Sequence, residues 1–192
     1  LSGLVGSEMC IRDRSICDQL LNYYDNCTIV PKLSFQASPT QEMVEGHFRG
    51  HGKTSTDLHL HMILSHNEGC LKYYFDELSR CISEYMEEYT WSGGMESVIS
   101  DGFNIQRYQP GEGYTLWHYE RTNGELSKRF LAWMTYLTDN PDGGTEWLHQ
   151  EKYVAGKKGK TVIWPAEWTH THRGRVDHKL EKTIITGWID LI

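Results

Sequence analysis

The chain has 192 residues, 39% of them hydrophobic and 23% charged, with a formal net charge of −7 at pH 7. These values fit one soluble globular domain with a sizeable core. They disfavour nucleic acid as a partner, because phosphates bind positively charged surfaces. No apolar run reaches the roughly 20 residues that a membrane-spanning helix needs, so we expect no membrane partner either.

The five cysteines are Cys10, Cys17, Cys27, Cys70 and Cys81, an odd number without a C-x-x-C pair. This pattern argues against a disulfide framework and against a cysteine zinc site, and it fits a reducing compartment. No signal peptide is recognisable. We therefore expect a cytoplasmic protein, and the sequence leaves its oligomeric state undetermined.

The first stretch of the chain resembles a sequencing artefact. Residues 9–14, which read MCIRDR, can be encoded by ATG TGT ATA AGA GAC AGR, a string similar to a common transposase adapter. We interpret residues 1–14 as non-native and assign residues 15–192 to one domain. Four unpaired cysteines remain without Cys10, so the expected compartment is unchanged.

One amphipathic helix is predicted in the first half of the chain, where residues 15–56 otherwise show only a weak pattern. Apolar residues recur there at three- and four-residue steps: Leu71, Tyr74, Phe75, Leu78, Ile82, Tyr85, Met86 and Tyr89. The helix is expected to start near Asn67 as its N-cap and to end before residues 91–94. We expect it to cover one face of a sheet.

From Gly102 onward the pattern changes to short strands that are rich in aromatic and β-branched residues and separated by turn sequences. The predicted strands are 103–108, 114–120, 129–138, 145–148, 160–164, 169–173 and 182–191. Strands and helices do not alternate, which disfavours a parallel α/β fold. The pattern indicates a mainly β (α+β) sandwich or barrel with an N-terminal helical region.

Histidine and carboxylate residues on these strands have the composition of a metal site. His118 and Glu120 are two residues apart, so both point to the same face of a strand. A later strand carries His170 and His172, which also share a face. Two histidines and one carboxylate form the facial triad of non-haem Fe(II) oxygenases, which leaves coordination positions for co-substrate and dioxygen. Strand periodicity does not decide which late histidine is the ligand.

Lys182 begins a strand on whose inner face Ile184 and Trp188 also lie. A buried lysine is costly unless an anion pairs with it, and a bound dicarboxylate would be such an anion. Taken singly, these signals are weak, because His-x-Glu occurs by chance and most strand histidines and lysines have structural or solvated roles. Their order along the chain favours a site.

About half of the chain, residues 102–192, resembles the catalytic core of prolyl 4-hydroxylase-like 2-oxoglutarate oxygenases. The family has Tyr-x-x-Gly-x-x-Tyr before His-x-Asp, and here residues 108–114 read YQPGEGY before His118 and Glu120. In the family, a glycine follows the distal histidine by two residues, a lysine by ten and a tryptophan by sixteen. That register is matched by His172, Gly174, Lys182 and Trp188. Residues 136–146 resemble the family's Tyr-Leu-Asn and Gly-Gly stretch.

The resemblance implies a double-stranded β-helix (jelly-roll) core and a dioxygenase that uses Fe(II), 2-oxoglutarate and O2, with ascorbate as a further candidate cofactor. When the roles of the family's residues are assigned to the matching positions, His118, Glu120 and His172 become the iron ligands. Lys182 becomes the partner of the distal carboxylate of 2-oxoglutarate, with Tyr136 and Tyr108 as further contacts. The implied reaction decarboxylates 2-oxoglutarate to succinate and hydroxylates a C–H bond of a peptide, protein or small-molecule substrate, peptidyl proline being the first choice.

Three features depart from the family pattern. Glu120 stands where the family usually has Asp, and residues 175–178 replace a Pro-Val pair after the distal histidine. His170 is expected to support the site from behind or to contact substrate rather than bind metal. Residues 49–56 lie where relatives have a substrate-covering loop, and an ordinary polar loop explains them equally well.

Several alternatives stay open at this point. An oxygenase of the same fold would act on another side chain, a small metabolite or an alkylated base. A non-catalytic cupin-like module would hold a structural metal, although such a module does not need the lysine. Two histidines and a glutamate also suit a hydrolytic zinc site.

Overall fold

The computed structural model describes residues 8–36, 42–44, 47–49, 52–66 and 68–192. Two helices, α1 (Ser15–Asn26) and α2 (Gly69–Glu88), precede most of the strands. The strands are β1 (Glu8–Cys10), β2 (Lys32–Phe35), β3 (Glu42–Val44), β4 (His47–Arg49), β5 (Lys53–His61), β6 (Ser97–Tyr108), β7 (Gly113–Tyr114), β8 (Arg129–Tyr136), β9 (Asn140–Trp147), β10 (Lys152–Gly156), β11 (Lys160–Pro165), β12 (His172–Gly174) and β13 (Lys182–Leu191).

The predicted helix is confirmed as α2. It buries the apolar side chains whose spacing predicted it, among them Leu71, Tyr74 and Leu78, and it ends at Glu88 before residues 91–94. The predicted N-cap, Asn67, lies outside the described residues. The shorter helix α1 was not predicted, because its buried residues Ile16, Leu20 and Tyr24 are separated by polar ones within only 12 residues.

The strands form a main antiparallel sheet in the order β1-β11-β8-β13-β6-β5-β2, with β7 paired to β5. A second sheet has the order β10-β9-β12, and β3 pairs with β4. A mostly antiparallel, strand-rich fold with two helices confirms the predicted mainly β fold class. Within the described residues, no helix has the length and apolarity required to span a membrane.

The main sheet has two different faces, because successive side chains of a strand point to opposite sides. One face packs on α1 and α2 through fully buried residues such as Ile105, Trp133 and Ile185. The other face lies toward the second sheet and carries Tyr108, Met134 and other residues of a second cluster. The candidate site lies on this second face.

Two predicted strands of the second sheet differ from the structure. The segment 145–148 is the end of the longer strand β9, and β10 was not predicted because its sequence merges with the turn residues 156–159. The segment 169–173 is not one strand, since a 3-10 turn at Trp168–His170 precedes β12. His170 and His172 therefore do not share a strand face, contrary to the sequence-based expectation.

The segment interpreted as non-native enters the fold where it is described. Strand β1 pairs with β11, and the Ile11 amide donates a hydrogen bond to the Gly159 carbonyl oxygen over 2.8 Å. Ile11 is only 1% exposed and belongs to the core that α1 and α2 cover. Residues 1–7 lie outside the described residues, so the foreign origin of residues 1–14 stays a prediction.

Candidate active site

The two histidines of the predicted triad face each other across a single backbone bridge. The His118 amide donates to the His172 carbonyl over 3.0 Å, and the His172 amide donates to the His118 carbonyl over 2.9 Å. The continuous strand predicted for 114–120 is absent, since β7 ends at Tyr114. This isolated bridge, rather than a strand, aligns the two imidazoles.

The three predicted ligand atoms converge on one point. Nε2 of His118 lies 3.7 Å from Oε1 of Glu120, and Nε2 of His172 lies 3.5 Å from the same oxygen. The ligand atoms all lie within 4.8 Å of one another. Ligand atoms placed about 2.1 Å from a common ion would be separated by about 3–3.5 Å, so the two distances to Oε1 are close to those expected around one first-row metal ion.

Hydrogen bonds fix the tautomer of both imidazoles. Nδ1 of His118 lies 2.8 Å from the Leu116 carbonyl oxygen, and Nδ1 of His172 lies 2.9 Å from the His170 carbonyl oxygen. Because a carbonyl oxygen only accepts, each Nδ1 carries the hydrogen and each Nε2 presents a lone pair to the metal position. His170 thus supports the site through its main chain, while its ring lies beside Thr169.

The second oxygen of Glu120 is held by two donors that the sequence-based analysis did not assign to it. The Trp188 indole N–H donates to Oε2 over 2.7 Å, and the Arg129 guanidinium lies 3.1 Å from the same oxygen. Arg129 also stacks on the Trp188 ring, 3.6 Å from its centroid. These contacts direct Oε1 toward the histidines, so the longer glutamate is accommodated where relatives carry aspartate.

The charges of the triad suit metal binding. Burial opposes ionisation of Glu120, but the contact with His172, followed by the nearby His118 and Arg129, outweighs it and lowers the pKa to about 2. Burial, followed by the neighbouring His172, lowers the pKa of His118 to about 4. At neutral pH the site therefore presents a carboxylate and a neutral imidazole, the forms that bind a cation.

Lys182 lies at the other end of the same cavity and is 5% exposed. Its ammonium donates to the Gly143 carbonyl oxygen over 2.8 Å and to that of Arg175 over 3.3 Å. Within the described ranges no carboxylate reaches ion-pair distance of Nζ, and burial lowers the pKa to about 8. An ammonium has three donors, so one remains to bind an anion such as a carboxylate.

The two predicted tyrosine contacts occupy different positions. Tyr108 lines the cavity, its ring centroid lies 4.7 Å from Lys182 Nζ, and its hydroxyl donates to Gln106 Oε1 over 2.7 Å. Tyr136 is fully buried behind the wall, with its hydroxyl 2.8 Å from Thr145 Oγ1. Thr145, not Tyr136, borders the cavity.

The cavity has a volume of about 440 Å³, and its lining includes residues that were not predicted from the sequence. A further wall comes from β2, β5 and β6 and was missed from the sequence. Its lining residues are Phe35, Lys53, His59, Asn104 and Gln106. The available signal was the alternation of residues 103–106, in which Phe103 and Ile105 are apolar while Asn104 and Gln106 are polar.

The prediction of a loop at residues 49–56 is wrong for the second half of this segment. Lys53 begins strand β5, which pairs with β2, β6 and β7. The Lys53 ammonium forms an ion pair with the fully buried Asp57 and lies over the Phe35 ring. These contacts fix Lys53 as part of the cavity wall. Residues 50–51 lie outside the described residues.

Comparisons with known proteins agree with this geometry. Residues 103–190 match the family model of the 2OG-Fe(II) oxygenase superfamily. No curated protein matches the chain. Among solved structures, a viral collagen prolyl hydroxylase from Paramecium Bursaria Chlorella virus-1, in a complex with 2OG, is 18% identical with a TM-score of 0.69, and the alignment covers 99% of this chain and 98% of that one.

Two further structures are similar over 99% of this chain. A Pseudomonas putida prolyl-4-hydroxylase is 14% identical with a TM-score of 0.63 and is covered over 94% of its length. A Trichoplax adhaerens prolyl hydroxylase in complex with a hypoxia inducible factor peptide fragment is 15% identical with a TM-score of 0.65 and is covered over 85%. At these identities the likeness concerns the fold.

The family match favours an oxygenase over the hydrolase and binding-module alternatives, and the convergent triad suits a metal ion. Residues 103–190 match the 2OG-Fe(II) oxygenase superfamily and contain the triad and Lys182, and the fold of the chain is similar to that of prolyl hydroxylases.

Proposed function

We propose that this protein hydroxylates a C–H bond of a peptidyl substrate, with a prolyl residue as the first candidate. The observation that carries the proposal is the presence, in one cavity, of a convergent His-Glu-His triad and of the buried Lys182, whose ammonium has no carboxylate partner among the described residues. His118, Glu120 and His172 would hold Fe(II). When bound, Fe(II) with O2 and 2-oxoglutarate supplies the oxidation, in which substrate, O2 and 2-oxoglutarate give hydroxylated substrate, succinate and CO2.

The remaining residues act by binding and orientation. Lys182 would donate its third N–H to the distal carboxylate of 2-oxoglutarate, in a position from which water is largely excluded. Tyr108 would pack beside that carboxylate. Arg129 and Trp188 would keep Glu120 ionised and oriented, so that its Oε1 faces the metal position.

A peptide is favoured over a small metabolite because the cavity does not end at the triad. A second groove of about 520 Å³ shares Leu126, Arg129 and Trp188 with it and continues along residues 98–102 of β6 and the end of β13. A polypeptide that places one side chain at the triad would have a path along this groove. The peptide bound to the Trichoplax relative gives independent support for this class of substrate.

The first test uses only the cofactors. We would load the protein with Fe(II) without oxygen and titrate it with 2-oxoglutarate, following the visible metal-to-ligand charge-transfer band. A saturable band is expected. Folded, iron-loaded protein that develops no band would contradict the assignment of 2-oxoglutarate to this site.

The second test addresses the substrate. Decapeptides with a central proline in an alanine-serine background would be compared with the same peptides carrying alanine, lysine or asparagine instead, and with free L-proline. Succinate release and a mass increase of one oxygen on the proline peptides would support the prolyl assignment. Oxidation of another member of the panel would instead assign the activity to the side chain of that member.

A further inference from the structure

Asn104 has no role in the chemistry proposed so far, although it lies in the wall of the catalytic cavity. It is 6% exposed, and it lies on β6 between Phe103 and Ile105, which both point into the helix-covered core. In the part of the chain that the structure describes, its carboxamide has no hydrogen-bond partner. A buried amide without a partner is unfavourable, and an apolar residue would fill this position at lower cost.

Two polar neighbours of Asn104 on the cavity face are already engaged, and His59, opposite Asn104 on β5, packs edge-on against the Phe35 ring. Thr186, directly opposite on β13, donates its hydroxyl to the Trp133 carbonyl oxygen over 2.7 Å. Gln106, two residues away on the same face, accepts from the Tyr108 hydroxyl. The Asn104 carboxamide therefore retains both its donor and its acceptor for a bound molecule.

The strand register places Asn104 on the substrate side of the cavity. Lys182 is opposite Tyr108, whereas Thr186 is opposite Asn104, four residues further along both strands. At about 3.3 Å per residue this separates the two positions by about 13 Å, more than the length of an extended 2-oxoglutarate. In the direction away from Lys182, residues 98–102 of β6 line the second groove. A polypeptide entering by that groove would pass Asn104.

We propose that Asn104 binds a main-chain peptide group of the substrate next to the oxidised residue. The Asn104 carboxamide can donate a hydrogen bond to the C=O of a peptide group and accept one from its N–H. A ligand carboxylate could only accept, so the asparagine oxygen would remain without a donor. Asn104 thereby selects peptides over free amino acids and small metabolites. This inference deepens the proposed function and rests on it.

The test compares Asn104→Leu, which keeps the size and removes the hydrogen bonds, with the matched surface variant Asn22→Leu on the exposed side of α1. Each protein, loaded with Fe(II) and 2-oxoglutarate without oxygen, is titrated with a fluorescent proline decapeptide of the panel described above. The same titration uses its ester analogues, in which oxygen replaces a single backbone N–H near the proline. Anisotropy reports binding without turnover.

We expect Asn104→Leu to weaken peptide binding about tenfold, the effect of one lost hydrogen bond. One ester analogue should bind the wild type about tenfold more weakly than the amide, and this difference should vanish in Asn104→Leu. The 2-oxoglutarate titration, read from the charge-transfer band, should be the same in all three proteins.

Other outcomes would overturn the inference in distinguishable ways. A shifted 2-oxoglutarate titration in Asn104→Leu would assign Asn104 to the co-substrate. An amide-to-ester difference that persists in the variant, or unchanged peptide binding, would leave Asn104 a solvated wall residue. Binding of none of the peptides would refute peptide recognition, while an intact charge-transfer band would still support the oxygenase chemistry.

Discussion

The two faces of the main sheet use the same strands for different purposes. On β13, Thr183, Ile185 and Ile189 are buried on the helix-covered side, while Lys182 and Thr186 point into the cavity. The helix-covered face is mainly apolar, and its buried Thr135 is hydrogen-bonded to Tyr74 of α2 and to Thr161. The cavity face carries charged groups and amides that the protein satisfies only in part. Along β13, the odd-numbered residues therefore contribute to the packed core, and the even-numbered residues contribute to the cavity.

Because the two faces differ in this way, substitutions on them should have different effects. Substitutions on the helix-covered face should lower the free energy of unfolding and leave ligand affinities of the folded fraction unchanged. Substitutions on the cavity face should change ligand binding with little loss of stability, because they remove partly satisfied polar groups. Each of the following predictions tests this expectation.

The largest effect is expected from His172→Ala. Loss of one of three ligands should abolish the Fe(II)-dependent charge-transfer band while the thermal unfolding midpoint changes little. His170→Ala is the matched control, since His170 supports His172 through its main-chain oxygen, which the substitution retains. If His170→Ala removed the band and His172→Ala did not, the assignment of the distal ligand would be wrong.

Trp133→Ala should have the largest effect on stability. Trp133 is fully buried against Tyr74 and Phe75 of α2, and removal of such a side chain costs about 3–5 kcal/mol of unfolding free energy. Urea denaturation measures it, with Trp91→Ala as control because Trp91 is 95% exposed. A strong loss of 2-oxoglutarate affinity in folded Trp133→Ala protein would contradict the separation of the two faces.

Lys182→Ala should weaken 2-oxoglutarate binding by roughly 100-fold, since hydrogen bonds to charged groups contribute about 1.5–3 kcal/mol. Iron binding should be retained. Lys182→Met keeps the length of the side chain without its charge, so it separates loss of the ammonium from loss of packing. Equal affinity in Lys182→Met and wild type would exclude Lys182 as the carboxylate partner.

Deletion of residues 1–14 should remove about 2 kcal/mol of stability, because buried Ile11 and the pairing of β1 with β11 would be lost. Ile11→Ala in the full chain is the corresponding point variant. Unchanged stability after the deletion would support the interpretation that this segment is foreign to the protein.

The smallest effect concerns pH. Burial lowers the pKa of Lys182 to about 8, so the free protein loses the ammonium as the pH rises above that value. A bound carboxylate raises this pKa, so 2-oxoglutarate affinity should be constant below pH 8 and should fall up to about tenfold per pH unit above it. Titrations between pH 7 and 9 would measure this. In Lys182→Arg, whose guanidinium stays charged, any residual binding should show no such fall.

The sequence predicted much of the candidate site because its spacing is local. His118 and Glu120 are two residues apart, and Lys182 follows His172 by ten residues, so short-range patterns carried the assignment. The strands that hold these residues were less well predicted. The pair His118 and His172 is aligned by one backbone bridge between distant segments, which no periodicity in either segment indicates.

The fold class, helix α2 and the types of ligand residue could be predicted from the sequence, because hydrophobic periodicity and polar residues in apolar strands are visible in short stretches of it. The side of the sheet on which each polar residue lies, and the partners of its remaining polar atoms, are visible only in the folded protein. Trp188 reaches Glu120 from 68 residues further along the chain, and the position of Asn104 in the cavity follows from its pairing with Thr186. Such contacts depend on strand order and register, which pairing between distant segments fixes.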